Sequence, residues 1–557
     1  MKIAKQTVCL FLTLTGVLFF WNIVAARAQM SKVRADPLME KADLGSMNTG
    51  IAGAPAGSPV ITEDGPVRGT NVFGVLGYLG IPYAAPPVGK LRWMPPQPHG
   101  MFSGVFDANR FGNFCTQPNG TGHTTGAEDC LTLNVFTPTQ VRAPLPVMVW
   151  IHGGGLVTGG SFFYDPSPLV TQGNLIVVTI NYRLGYLGFF AHRAIDAEGH
   201  LNGNYGLMDQ QFALQWVQRN IAAFGGNPDR VTVFGESAGG QSVYSNLASP
   251  TAKGLFQRAI AESGAYVEFQ DYFDFIVSLA TGETVGTSAV PSGEAIATSV
   301  GCGSQRAGCL RAVPASTLAL AEPGTVYPFV DGTVLAQTPT AAFTSGQFNQ
   351  VPVVSGGNHD EWRIFVADQY DFAGNPLVTP THYQDATIAL WGPTLGPIVY
   401  GVVYPLANYP SPGIALGASG TDGIFACPER NSVRLLAQNV TTFAYEFNDE
   451  NAPDLFAPMA SFPLGAYHGS EIQYLFNFNQ RFTGTNPFTR QQQALSNSMI
   501  RYWTTFATNA DPNSAGQPAW SPYSSGTDQF QSLVPPTPVV ESTFDTDHKC
   551  SAFWNTF

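Results

Sequence analysis

The chain has 557 residues, 44% hydrophobic and only 12% charged, which requires a large buried core and excludes disordered and fibrous classes. Its formal net charge is −13. With no basic run anywhere, such a surface repels phosphate backbones, so nucleic acid is excluded as a partner.

The first elements are export signals. Lys2 and Lys5 precede an apolar run from Val8 to Val24, and Ala26-Arg27-Ala28 is an Ala-x-Ala cleavage site. A signal peptide over residues 1–28 follows, with a periplasmic or extracellular mature protein beginning near Gln29. The uncharged run from Gln6 to Ala26 is also long enough to remain as an anchor. No later stretch reads as a membrane span. Residues 29–58, rich in Ala, Gly, Ser and Pro, read as a flexible segment, and order is expected from Pro59 over one domain spanning 59–557. Once the leader with Cys9 is removed, six cysteines remain: Cys115, Cys130, Cys302, Cys309, Cys427 and Cys550. An even number in an exported chain predicts disulfides. No Cys or His spacing suits zinc, and no metal is expected.

Strands and helices then alternate. Val147 to Ile151, Leu175 to Ile180, Val231 to Phe234, Ala259 to Ala261, Val351 to Val354 and Phe443 to Phe447 are short, nearly continuous apolar runs. Such runs belong to a parallel sheet covered on both faces by helices. Helices are predicted from about Gly206 to Phe224 and from Arg490 to Thr508, on apolar residues at three- and four-residue steps. The stretch from Tyr266 to Thr325 breaks the rhythm and reads as an insertion over the carboxyl edge, helping to form a substrate gorge.

The chemistry is concentrated where Val231 to Phe234 runs into Gly235-Glu236-Ser237-Ala238-Gly239. Gly-x-Ser-x-Gly between a strand and a helix start is a nucleophile elbow, whose glycines let strand and helix pass closely and lift the serine above the sheet. A neutral serine hydroxyl is a weak nucleophile, so Ser237 needs a base and the base needs an orienting acid. In this architecture they follow the serine as acid, then histidine. Asp360 and Glu361, just after the strand Val351 to Val354, both qualify as the acid. His359 and His382 lie too close to them and His548 lies in the tail, which leaves His468 as the base. His152-Gly153-Gly154-Gly155, closing another strand, together with Ala238, supplies backbone amides for an oxyanion hole.

These motifs resemble the type-B carboxylesterase/cholinesterase family of α/β-hydrolases. Phe224 to Gly239 fits the family's serine signature and Glu128 to Val135 its second signature, with further matches at Gly80 to Ala84, Pro86 to Gly89, Asn181-Tyr182-Arg183 and Asp331-Gly332. The resemblance implies an α/β-hydrolase fold, with a large, mostly parallel central sheet flanked by helices and insertions forming a gorge. It also implies a Ser237, Glu361, His468 triad and oxyanion donors at Gly154, Gly155 and Ala238. Glu236 and Glu471 match a buried acidic pair, with Ser242 in the same network. The implied disulfides are Cys115–Cys130, Cys302–Cys309 and Cys427–Cys550. Two departures stand out. The Cys115–Cys130 loop lacks the aromatic that binds quaternary ammonium in cholinesterases, and Trp362 replaces the glycine usual after the acid, narrowing the pocket or shifting the Glu361 backbone.

The expected protein is therefore a cofactor-free serine hydrolase of small to medium carboxylic esters, whose activity rises with pH as an imidazole of pKa roughly 6.5 loses its proton. The alternatives are a lipase of long-chain lipid and a catalytically silent binding protein on the same fold.

Overall fold

The computed structural model describes residues 55–201, 203–266, 289–321, 326–454, 460–478 and 487–556. The expected signal peptide, most of the flexible segment and much of the Tyr266–Thr325 insertion lie outside these residues.

The predicted apolar runs form one twisted sheet. Its strands are β1 (Pro55–Thr62), β2 (Gly65–Val72), β3 (Val75–Pro82), β4 (Thr132–Thr137), β5 (Leu145–Ile151), β6 (Ile176–Ile180), β7 (Gly226–Glu236), β8 (Arg258–Glu262), β9 (Val353–Asn358), β10 (Thr442–Phe447), β11 (Phe530–Leu533) and β12 (Val539–Glu541). The order is β1-β2-β3-β4-β6-β5-β7-β8-β9-β10-β11-β12, with Phe106–Asp107 added beside β2. From β6 to β11 neighbouring strands run parallel; outside that block the strands pair antiparallel, except that Phe106–Asp107 lies parallel to β2. β1 starts four residues before the expected Pro59, because Pro55 and Ala56 pair with Thr70 and Gly69. Backbone pairing at an edge needs no apolar period, so composition could not reveal it.

The pleat divides each buried strand between two cores. On one face Val147, Val149 and Ile151 of β5, with Val231 and Val233 of β7, pack against Leu214, Trp216 and Val217 of helix α1 (Tyr205–Asn220) and Val243 of α2 (Ala238–Ala248). On the other, Met148, Trp150, Phe234 and Ile260 meet Leu495, Met499, Trp503 and Phe506 of a late helix (Arg490–Asn509). That helix opens with a capping box between Thr489 and Gln492, a device worth about 1 kcal/mol. Burial on both faces is why these strands read as unbroken apolar runs rather than alternating ones.

A third cluster covers the carboxyl edge. It joins Trp362, Tyr383, Leu390, Leu416, Phe425 and Tyr467. Part of it is the stretch Pro380–Val403, with mean hydropathy 1.4, long and apolar enough by length and composition to cross a membrane. This corrects the expectation that no later stretch qualifies. The backbone breaks at Gly392 (φ 79°, ψ 166°), and Tyr383, Ala386 and Leu390 turn into the cluster, so one face of this kinked helix packs against the protein.

All three disulfides pair as the resemblance implied, which fits an oxidising, exported environment.

Candidate active site

Parallel strands end at the same edge, so residues far apart in the chain converge there. β5 delivers His152 to Gly155, β7 delivers Ser237, β8 delivers Ser263, and β9 runs into Asn358 to Glu361. His468 comes from the connection after β10.

Ser237 holds φ 57° and ψ −123°, a strained conformation for a residue with a side chain. Its amide donates to the Glu262 carbonyl at 2.9 Å. A Cβ on Gly235 would stand 2.6 Å from the Ile151 carbonyl oxygen, and one on Gly239 would overlap the same atom. Only glycine lets β7 and α2 cross here, as the motif predicted. Ala238 is the first residue of α2, where backbone amides have no helical acceptor. The turn after β5 is pressed against the serine: a Cβ on Gly153 would lie 3.1 Å from that of Ser237. Gly154 and Gly155 take φ of 100° and 63°. His152 stacks on Tyr182 with centroids 4.5 Å apart, and burial pulls its pKa down to about 4, keeping the ring neutral and the turn rigid.

Of the two candidate acids, the structure turns Glu361 to the histidine. His468 Nδ1 lies 2.6 Å from Glu361 Oε2, while Glu361 Oε1 accepts the Asn358 amide at 2.8 Å. Asp360 instead pairs with Arg363 at 2.7 Å and splices the acid loop to the histidine loop: its amide donates to the Ala466 carbonyl at 2.9 Å and its carboxylate accepts the Ala466 amide at 3.0 Å. Asn358 adds a second splice by donating to the Tyr467 carbonyl at 2.8 Å. His468 Nε2 faces Glu236 Oε1 at 3.3 Å.

Residues 57–552 match the Carboxylesterase family. The chain belongs to that family. It is 35% identical over 492 residues to cocaine esterase of Oryctolagus cuniculus, covering 82% of this chain and 89% of that one. It is 34% identical over 564 residues to carboxylesterase 1D of Rattus norvegicus, covering 90% and 94%. A PNB esterase structure superposes with a TM-score of 0.73 at 30% identity, covering 89% of this chain and 100% of the other. The carboxylesterase fold is thus an α/β-hydrolase fold, and the protein is a carboxylic ester hydrolase.

Around Ser237, Glu361 and His468 this carboxylesterase has aromatic neighbours, most of which the sequence did not reveal. Phe365 and Phe425 face the His468 ring, each with its centroid 5.1 Å away. Trp362 is buried beside them, 4.7 Å from Phe365. Its room comes from the neighbouring helix Pro412–Gly420, since a Cβ on Gly420 would overlap the indole. Tyr266 shares a hydrogen bond with the Ser237 side chain and donates to Gln241 Oε1 at 3.4 Å. Burial, with Tyr327 and Glu236 nearby, holds its pKa well above the usual phenol value. It follows directly on β8, but no local pattern distinguishes it from the insertion it begins.

Glu236 and Glu471, the expected acidic pair, are both buried. Glu471 is bonded to Asn358, and burial and the Glu361 charge push it up to about 7. Ser242 donates to the Ala238 carbonyl at 2.8 Å and accepts from Gln210 at 3.0 Å; its bonds go to these groups.

A second histidine centre lies nearby. His548 meets Asp422 through Nδ1 and Glu446 through Nε2, both at 2.6 Å, and His359 Nδ1 lies 3.1 Å from the same Glu446 oxygen. Ligand-type atoms of His359, Glu446 and His548 all fall within 4.8 Å of one another. Because carboxylates only accept, both ring nitrogens of His548 donate. Burial opposes that charge, but Asp422 and Glu446 overcome it and hold the His548 pKa well above its usual value. The group therefore fits a proton-bound ion network.

Proposed function

We propose that the protein is an exported serine carboxylesterase that cleaves small to medium esters through Ser237, His468 and Glu361. The supporting observation is the 2.6 Å contact of His468 with Glu361 on loops spliced beside the Ser237 elbow. His468 takes the Ser237 proton as the oxygen attacks the ester carbonyl, while Glu361 fixes the Nδ1–H tautomer. The amides of Gly154, Gly155 and Ala238 receive the negative charge that moves onto the carbonyl oxygen. When the C–O bond breaks, His468 returns the proton to the leaving alcohol. Water then opens the acyl-enzyme by the same steps, with one proton out and one back. Aromatic walls from Phe365, Phe425 and Tyr266 suit a compact acyl group rather than a long chain.

A fluorophosphonate probe tests the reading directly. Covalent labelling of Ser237, absent in S237A, is expected. Failure to label the wild type would leave the binding-protein alternative, and a strong preference for long-chain nitrophenyl esters above their aggregation point would favour a lipase.

A further inference from the structure

Glu361 has a second carboxylate oxygen, and the space behind it is unusual. A cavity with about 10 Å³ of free volume, room for one water molecule, is lined by Ser263, Asn358, Glu361, Glu429 and Glu446, and closed by Phe425 and Phe544. A Cβ on Gly357 would lie 2.8 Å from Glu361 Oε1 and 3.7 Å from Ser263 Oγ, which places both oxygens at this wall. Three buried atoms of the lining residues have no protein hydrogen-bond partner: Ser263 Oγ, Asn358 Oδ1 and Glu429 Oε2. Each would cost about 1–3 kcal/mol if left unsatisfied, and the amide and carboxylate oxygens accept only. An occupant that meets the Asn358 and Glu429 oxygens therefore donates to them. The other oxygen of Glu429 is fixed, accepting from Ser355 Oγ at 2.6 Å and Tyr244 OH at 3.2 Å.

We propose that Glu429 is a positioning residue for ester hydrolysis: with Asn358 and Ser263 it holds one hydrogen-bond donor the size of water behind Glu361, and its charge strengthens the hold of His468 on its proton. This rests on the triad reading above. Burial pushes Glu429 up to about 7, with Ser355 and Tyr244 opposing and the Glu361 charge adding to the rise. Glu429 therefore changes charge in the range where an esterase histidine works. The groups facing it are Ser355 and Glu361 from β9 and its loop, Tyr244 from α2, and Tyr445 and Glu446 from β10. Glu262 and Glu471 also act electrostatically on Tyr445. Glu446 is neutralised by His359 and His548, so none of these neighbours supplies a cation to Glu429 itself.

The test is the pH profile of kcat/KM on a short nitrophenyl ester for wild type, E429Q and Y244F. Gln keeps the bonds from Ser355 and Tyr244 but carries no charge. Its acid limb is expected to move to lower pH by roughly half to one unit, with a plateau within about threefold of wild type. Y244F removes a donor that favours the charged carboxylate, so its limb shifts the same way by less and stands in if E429Q does not fold. Coincident limbs in the variants and wild type would overturn the proposal, as would a lost plateau without a shift. Fluorophosphonate labelling of Ser237 is run in parallel; a wild type that does not label defeats the triad reading instead.

Discussion

His468 and His548 are both held by carboxylates, but His548 is fully buried while His468 is partly exposed, and the two are gripped differently. His468 is gripped at Nδ1 by Glu361 at 2.6 Å and has Glu236 at a looser 3.3 Å from Nε2. His548 is gripped at 2.6 Å on both nitrogens. A ring clamped on both sides stays protonated and serves as a cationic rivet between β10, the Asp422 segment and the tail. In the proposed mechanism His468 works through Nε2, the side with the looser carboxylate. In that mechanism, the number of tight carboxylates distinguishes the base from the anchor.

Exchanging the histidines gives the largest contrast. H468Q is expected to lower kcat by about 10⁵–10⁶, while H548Q leaves kcat within about threefold, measured on a nitrophenyl ester; comparable losses in both would break the distinction. E361Q removes the charge that holds the His468 tautomer and should lower kcat by about 10⁴. The acid of the rivet should behave differently, with E446Q lowering the melting temperature and sparing kcat. G154A, at φ 100° with a Cβ that would overlap the Thr158 carbonyl, should cost about 10² to 10³ in kcat. For the rivet itself, H548Q leaves Asp422 and Glu446 buried without their cation, a loss of about 3–5 kcal/mol, read as a lowered denaturant midpoint.

The smallest effect sharpens the comparison through pH. Burial works against the charge on His359, but Glu446 and its hydrogen bond raise the pKa to about 9. A raised histidine stabilises fully below its unfolded value near 6.5 and loses that contribution as pH climbs through about 9. The melting-temperature gap between wild type and H359Q should therefore shrink from pH 7 to pH 10. A constant gap would mean that the His359 charge contributes nothing.

Much of this was legible in the sequence because it is local. Gly235 and Gly239 mark a close crossing whatever surrounds them, and the runs in β5, β7 and β9 announce a sheet covered on both faces. The choice between Asp360 and Glu361 was not local: adjacent residues point to opposite partners, and family resemblance rather than spacing favoured Glu361. The disulfide pairs likewise came from resemblance. What stayed hidden depends on side chains meeting across the sheet edge. His548 looked like a tail residue because Asp422 and Glu446 lie 126 and 102 positions away. Tyr266 and Glu429 carry no motif. The Pro380–Val403 stretch went unnoticed because its prolines and glycines mask an apolar helix.

Trp362 and Gly420 leave a practical lesson for anyone reshaping this pocket. The indole occupies ground that a bare backbone on the facing helix concedes, so the two positions form one epistatic unit. A mutant library that varies either alone will sample voids and collisions; varying both together opens a path to a differently shaped acyl chamber.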